Sequence, residues 1–111
     1  MQPAHAQHSV PAPITVDEAI NIADIFRLMG DPTRTRLLYT LLDRGEVYVS
    51  DLAAAIDASE TTVSHALRLL RASHIVTARR EGRRIAYALA DHHVRQVLMM
   101  TRDHLDHLDT A

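Results

Sequence analysis

The C-terminal run DHHVRQVLMMTRDHLDHLD sets one carboxylate and three imidazoles, Asp91, His93, His104 and His107, along one stretch of helical periodicity. That ligand set suits a zinc or cobalt ion. Its spacing constrains the fold further. His93 and His104 share a helix face but stand about 16 Å apart along the axis. His104 and His107, at i and i+3, can grip the same ion. Asp91 can join His93 only from the N-cap, because residues i and i+2 diverge on a regular helix. No single helix can close all four ligands around one ion. Two antiparallel copies can, with Asp91 and His93 of one chain meeting His104 and His107 of the other. The pattern therefore predicts a homodimer with two equivalent sites across its two-fold interface.

A chain of 111 residues, 47% hydrophobic and poor in aromatics, predicts one domain with an aliphatic, helical core. A core of this size gains from burying more surface against a second copy. The absence of cysteine excludes disulfides, thiolate metal sites and thiol redox sensing, and leaves the compartment open on that ground. No apolar run approaches membrane-spanning length, and the N-terminus lacks a charged-then-apolar signal pattern. Both point to a cytoplasmic protein with no membrane contact. All twelve basic residues are arginine, a bias that genomic base composition explains. The net charge of −2 is not that of a generic nucleic-acid binder, but it is unevenly placed. Nine arginines face six acids between Arg34 and Tyr87, and two face four aspartates from Ala88 onward. A basic middle and an acidic tail suit a chain that offers one surface to DNA and another to a cation.

Residues 1–14 hold three of the four prolines and no periodicity, and read as a disordered arm. Thr15 and Glu18 have capping-box spacing for a first helix with an apolar face of Ile22, Ile25, Phe26 and Met29, closed by Gly30. Asp31 and Pro32 start a second helix through Leu37, Leu38, Leu41 and Leu42, which stops at Gly45. EVYV is short and extended. Ser50 can cap a third helix, DLAAAI, and Ser59 a fourth that runs to about Ala72. IVTARR and RRIAYAL alternate apolar and polar residues around Glu81-Gly82, a β-hairpin signal. The last helix runs from near Asp91 to about Leu108, with Val94, Leu98, Thr101, Leu105 and Leu108 in a 3–4 stripe suited to a partner copy.

Four helices, a hairpin and a fifth helix (ααααββα) are the ingredients of a mainly α winged helix-turn-helix over residues 15–109. DLAAAI is then the supporting helix and TTVSHALRLLRAS the recognition helix. Val63, Leu67 and Leu70 turn toward the core. Ser59, Thr61, Thr62, Ser64, His65 and Arg68 can reach phosphates or base edges of double-stranded DNA. Arg79, Arg80, Arg83 and Arg84 surround the hairpin tip, as backbone or minor-groove contact requires.

From DPTRTRLLYTLL through VSDLAAAI, TTVSHALRLLRASHIV and REGRRIAYAL to the DHH…DHLDH tail, the chain resembles the ArsR–SmtB family of metal-responsive bacterial repressors. The resemblance covers roughly residues 15–109. It implies a dimer on an inverted-repeat operator, released when metal binds so that an efflux or storage gene is transcribed. The tail matches the family's zinc and cobalt sensors at all four ligand positions. In those sensors the histidine at the His104 position donates to a main-chain carbonyl just after the recognition helix, which here is that of His74. The chain departs from the family twice. Tyr48 stands where many members carry a cysteine, so the thiolate site used for arsenic, lead or cadmium is missing. Ala66 stands where a glutamine is common, so the operator sequence does not carry over.

Each histidine also has a plainer reading: for His65 a structural hydrogen bond, and for His74 a side chain without a role. The tail could be a solvated amphipathic helix, but four competent ligands at matching positions favour a metal site. His92 and Asp103 read as solvent-facing or as supports behind the ligands, and Asp106 and Asp109 as tuning the local field. His5 and His8 read as surface residues of the arm, or as added ligands for nickel. The competing function is a winged-helix regulator that uses its tail for dimerisation and senses no metal. No nucleophile motif or Gly-rich phosphate loop is present, and a site filled by four protein ligands leaves no open position, so an enzyme is not expected.

Overall fold

The structure is a computed structural model that describes residues 10–110, so His5 and His8 lie outside it. Of the arm, residues 10–14 are exposed and carry no regular structure, and residues 1–9 fall outside the described part. The elements that follow are α1 (Val16–Met29), α2 (Pro32–Arg44), β1 (Val47–Tyr48), α3 (Val49–Ile56), α4 (Glu60–Ala72), β2 (Val76–Glu81), β3 (Arg84–Leu89) and α5 (His92–Thr110).

Polar side chains start the helices where the sequence indicates. Thr15 Oγ1 accepts the Glu18 amide at 3.1 Å, Asp31 Oδ2 accepts that of Arg34 at 3.0 Å with Pro32 next to it, and Ser59 Oγ accepts that of Thr62 at 3.1 Å. The end of α1 is satisfied from the start of α2. The Leu28 and Met29 carbonyls accept from Arg34 Nε at 2.6 Å and from the Thr35 hydroxyl at 2.7 Å, which fixes the angle between the two helices.

Two expectations need correcting. The sheet has three strands in the order β1-β3-β2, because Val47 and Tyr48 pair antiparallel with Tyr87 and Ala86. The expected two-stranded hairpin thus gains an edge strand, too short to show any alternation. Ser50 does not cap α3. The extended backbone ends at Tyr48, which stands at the cap position without a side-chain bond, and Ser50 lies inside the first turn. The hairpin itself keeps the expected register, from Val76↔Leu89 to Glu81↔Arg84. Its two-residue turn places Gly82 at φ 61, as a II′ turn demands at its first central position.

The core lies where α2, α3 and α4 meet the sheet. Leu37, Leu38, Leu41, Leu52, Val63, Leu67 and Leu70 are all completely buried. Each contributes roughly 1.5–3 kcal/mol of burial. From α5, Leu98 joins this core and Val94 packs at its margin. Tyr39 donates to the Leu98 carbonyl at 2.7 Å, and Arg102 forks onto Asp43 at 3.0 and 3.2 Å while lying over the Tyr39 ring. These contacts seat the middle of α5 on α2. In contrast, α1 has no buried residue.

Candidate functional site

Asp57, in the left-handed region at φ 54, closes α3 and turns the chain into α4. The inward stripe of Val63, Leu67 and Leu70 orients α4 so that Thr61, His65 and Arg68, spaced i, i+4 and i+7, share an exposed face. Ser64 is half-buried on the side toward the hairpin. Ser59 and Thr62 are bonded to each other at the cap, with Ser59 Oγ donating to Thr62 Oγ1 at 2.9 Å. Ala66, the position where glutamine is common, lies in the core.

The hairpin arginines separate into two kinds. Arg79 forks onto Glu46 at 2.6 and 3.0 Å and reaches Glu81 at 2.7 Å, which ties β2 to the loop before β1. Arg84 lies 3.5 Å over the Tyr48 ring, with Asp51 at 3.7 Å. Among the described residues, neither Arg80 nor Arg83 has an acidic partner. The Tyr48 hydroxyl donates to Glu81, a bond that raises the phenol's pKa. Glu81 is held below the usual carboxylate range by Tyr48 first and Arg79 second, and Glu46 is held below it by Arg79. Tyr48, Glu46 and Glu81 were not among the residues singled out in the sequence. Tyr48 registered there only as a missing cysteine.

At the tail, Asp91 is the N-cap of α5. Its Oδ1 accepts the Val94 amide at 3.0 Å, which holds the carboxyl below its ordinary range. His93 Nδ1 stands 3.8 Å from the same Oδ1, and the His92 and His93 rings lie 4.1 Å apart. His104 and His107 are exposed farther along the helix. Among the described residues of one chain, no three potential ligands come together. His74 occupies the left-handed region at φ 59. Its amide bonds to the Arg71 carbonyl and that of Ile75 to the Leu70 carbonyl, both at 3.0 Å, a Schellman turn that fixes the direction of the His74 carbonyl. That carbonyl accepts no hydrogen bond among the described residues.

The model of bacterial regulatory proteins of the arsR family matches residues 31–78. A transcriptional repressor SmtB homolog of Synechocystis is 43% identical over 99 residues, which are 89% of this chain and 74% of that protein. The chain belongs to the ArsR family. It is thus a DNA-binding transcriptional regulator rather than an enzyme. Two solved structures share the whole architecture. The AntR antimony-specific transcriptional repressor superposes with a TM-score of 0.83 at 29% identity, covering 100% of this chain and 97% of that one. The homodimeric winged helix-turn-helix DNA-binding domain of a Mycobacterium bovis protein superposes with a TM-score of 0.77 at 28% identity, covering 91% and 96%. In this family member, α3 and α4 are the helix-turn-helix and β2–β3 the wing. No helix among the described residues is long and apolar enough to cross a membrane.

Proposed function

We propose that this ArsR-family chain is a metal-responsive repressor that works as a homodimer in the cytoplasm. The apo-dimer binds an inverted-repeat operator, and Zn(II) or Co(II) held between paired α5 helices weakens that grip. The observation that carries this reading is the arrangement of α5. Asp91 and His93 sit at its N-terminal end, His104 and His107 lie along its exposed C-terminal half, and Leu105 and Leu108 beside them are exposed as well. One carboxylate and three imidazoles fit a tetrahedral zinc-type site. A second copy running antiparallel supplies the missing half and covers the apolar stripe. The exposed Ile22, Ile25 and Phe26 of α1 extend the same interface. Of the two solved relatives described above, the antimony-specific repressor favours a response to an inorganic ion and the homodimeric domain favours a two-fold assembly.

On the DNA side, α4 enters the major groove with Thr61, His65 and Arg68, and the wing tip follows the backbone with Arg80 and Arg83. The link between the two functions runs from His104 to His74. A ligating imidazole keeps one ring N–H for an oxygen nearby, and the His74 carbonyl, fixed by its turn, is that acceptor. The bond biases the dimer toward a spacing of the two α4 helices that no longer fits successive major grooves. Couplings of this kind run at about 1–3 kcal/mol, or roughly 5- to 150-fold in DNA affinity, and operator DNA must weaken metal binding by the same factor.

Cobalt titration tests the site. The wild-type dimer should take up about one ion per chain with a tetrahedral absorption spectrum, and His104→Ala or His107→Ala should abolish that spectrum without loss of apo-protein DNA binding. A spectrum unchanged by either substitution overturns the assignment. A ring-methylated residue at position 104 that binds zinc but cannot donate should keep its DNA when zinc is added, and release at the wild-type level would exclude the relay.

A further inference from the structure

Between α3, α4 and the wing lies a cleft of about 240 Å³ lined by Tyr48, Ser50, Glu60, Ser64, Arg83 and Arg84, among others. Its charges nearly balance, two guanidinium groups against Glu60 and the adjoining Asp51. Two features stand out. The hydroxyls of Ser50 and Ser64, one from each helix of the helix-turn-helix, have no hydrogen-bond partner among the described residues. Arg84 also lies over the Tyr48 ring, its guanidinium carbon 3.5 Å from the ring centroid and one nitrogen 3.7 Å from Asp51, while the Tyr48 hydroxyl is anchored to Glu81 across the wing. Arg79 clamps Glu81 in turn to Glu46, so the hydroxyl end of the ring is anchored through Glu81 to the loop before β1.

We propose that this cleft seats one backbone phosphate of bound duplex DNA, with Ser50, Ser64 and Arg83 as donors and Tyr48 as the positioning residue that holds Arg84 at the mouth. The inference rests on the reading of α4 and the wing as the DNA surface and deepens it. Stacking leaves the in-plane N–H groups of a guanidinium free to fork onto phosphate oxygens. It also removes rotamer freedom that an unsupported arginine would lose only on binding. The near balance of charge matters too. Asp51 and Glu60 offset the two arginines, so a free phosphate ion gains little here, and the seat fills only with a phosphate delivered by a duplex already held by α4 and the wing tip.

The test measures binding of the full-length dimer to a random-sequence 24-base-pair duplex (length about two helical turns) over a series of salt concentrations. Arg84→Ala should lower the slope of log K against log salt by about 0.9 per chain, the value of one lost phosphate contact. Tyr48→Leu should lower affinity and slope in the same direction, and adding Arg84→Ala to it should cost nothing more, a non-additivity that a purely structural role would not give. Tyr48→Phe keeps the ring under Arg84 and should keep most of the slope. Ser50→Ala, a change inside a helix that cannot unfold the core, should weaken binding by about fivefold with no change of slope, since a neutral donor releases no counterion. Glu60→Gln should tighten DNA binding. Inorganic phosphate at millimolar concentration should not compete beyond its effect on ionic strength. Wild-type affinity and slope in both Tyr48→Leu and Ser50→Ala, with the wild type binding normally, overturn the seat alone. A wild type that binds no duplex overturns both the seat and the DNA-binding reading, and specific competition by inorganic phosphate replaces the duplex with a free anion.

Discussion

The middle of this molecule and its two terminal helices are built on opposite principles. From α2 to β3 the chain buries its own apolar residues so fully that seven leucine and valine side chains have no exposure at all. In α1 no residue is buried, Phe26 is 62% exposed, and beyond Leu98 the apolar residues of α5 face outward, with Leu105 at 56% and Leu108 at 53%. Both regions carry amphipathic helices of ordinary composition. The difference is that one region finds the complement to its apolar face within the chain and the other does not. The winged helix-turn-helix thus carries its own core, while the terminal helices leave an apolar face uncovered within the chain, which the proposed dimer would cover.

Substitutions on the two sides should behave differently, and the largest effect belongs to the middle. Leu67→Ala removes a fully buried side chain and should cost about 2–5 kcal/mol. The loss of melting temperature should be the same at any protein concentration. A concentration-dependent loss would mean that the middle leans on the dimer after all. Leu105→Asp or Phe26→Asp should do the converse. The fold survives, but sedimentation should show a monomer, melting should lose its dependence on protein concentration, and cobalt uptake should fall with the dimer. If either variant stays dimeric, the apolar faces of α1 and α5 serve something other than self-association. A smaller effect is expected at the hinge between the regions. Tyr39→Phe deletes the bond to the Leu98 carbonyl and should cost about 0.5–1.5 kcal/mol, read by thermal melting. It should also loosen the coupling between metal and DNA, because that bond fixes the middle of α5 on α2.

The same contrast explains what was legible in the residues. Asp31-Pro32, Ser59 and the Leu and Val stripes of α2 and α4 mark elements whose partners are local, and each lies where its pattern indicates. The first strand was not legible, because two residues show no alternation and only their pairing with Tyr87 and Ala86 makes them a strand. Ser50 misled for a related reason. A serine before an apolar run looks like a cap, and nothing local reveals that the sheet holds the chain extended up to Tyr48. At the wing, four arginines in sequence look equivalent. Only the fold brings Glu46 next to Arg79 and Tyr48 under Arg84, contacts that span 33 and 36 positions in the chain. At the tail, the N-cap position expected of Asp91 is found, its Oδ1 accepting the Val94 amide, because that contact is local; the ligand quartet needs a second copy and stays part of the proposal.

The smallest expected effect concerns the ion pairs that fasten each region to the core. Asp43, paired with Arg102, ties α5 down, while Glu46 and Glu81, paired with Arg79, brace the wing. All three carboxyls are held below their ordinary range, Asp43 by Arg102, Glu46 by Arg79, and Glu81 by Tyr48 and then Arg79. A carboxyl whose pKa is lower folded than unfolded contributes stability that is fully present above the unfolded value, near pH 4, and is lost as pH falls through the folded value. Melting temperature should thus be flat in this respect from about pH 7 to about pH 5 and then decline into acid. All three pairs are exposed to solvent, so the decline should be shallow and should weaken further in high salt. Asp43→Asn should remove the part of the acid response that belongs to the α5 joint, and Glu46→Gln the part that belongs to the wing. If the wing pairs matter for DNA through Tyr48 and Arg84, Glu46→Gln should lower duplex affinity at neutral pH while Asp43→Asn leaves it near wild type. Equal effects of the two on DNA would mean that the wing brace does not reach the DNA surface and acts, like the α5 joint, on general stability alone.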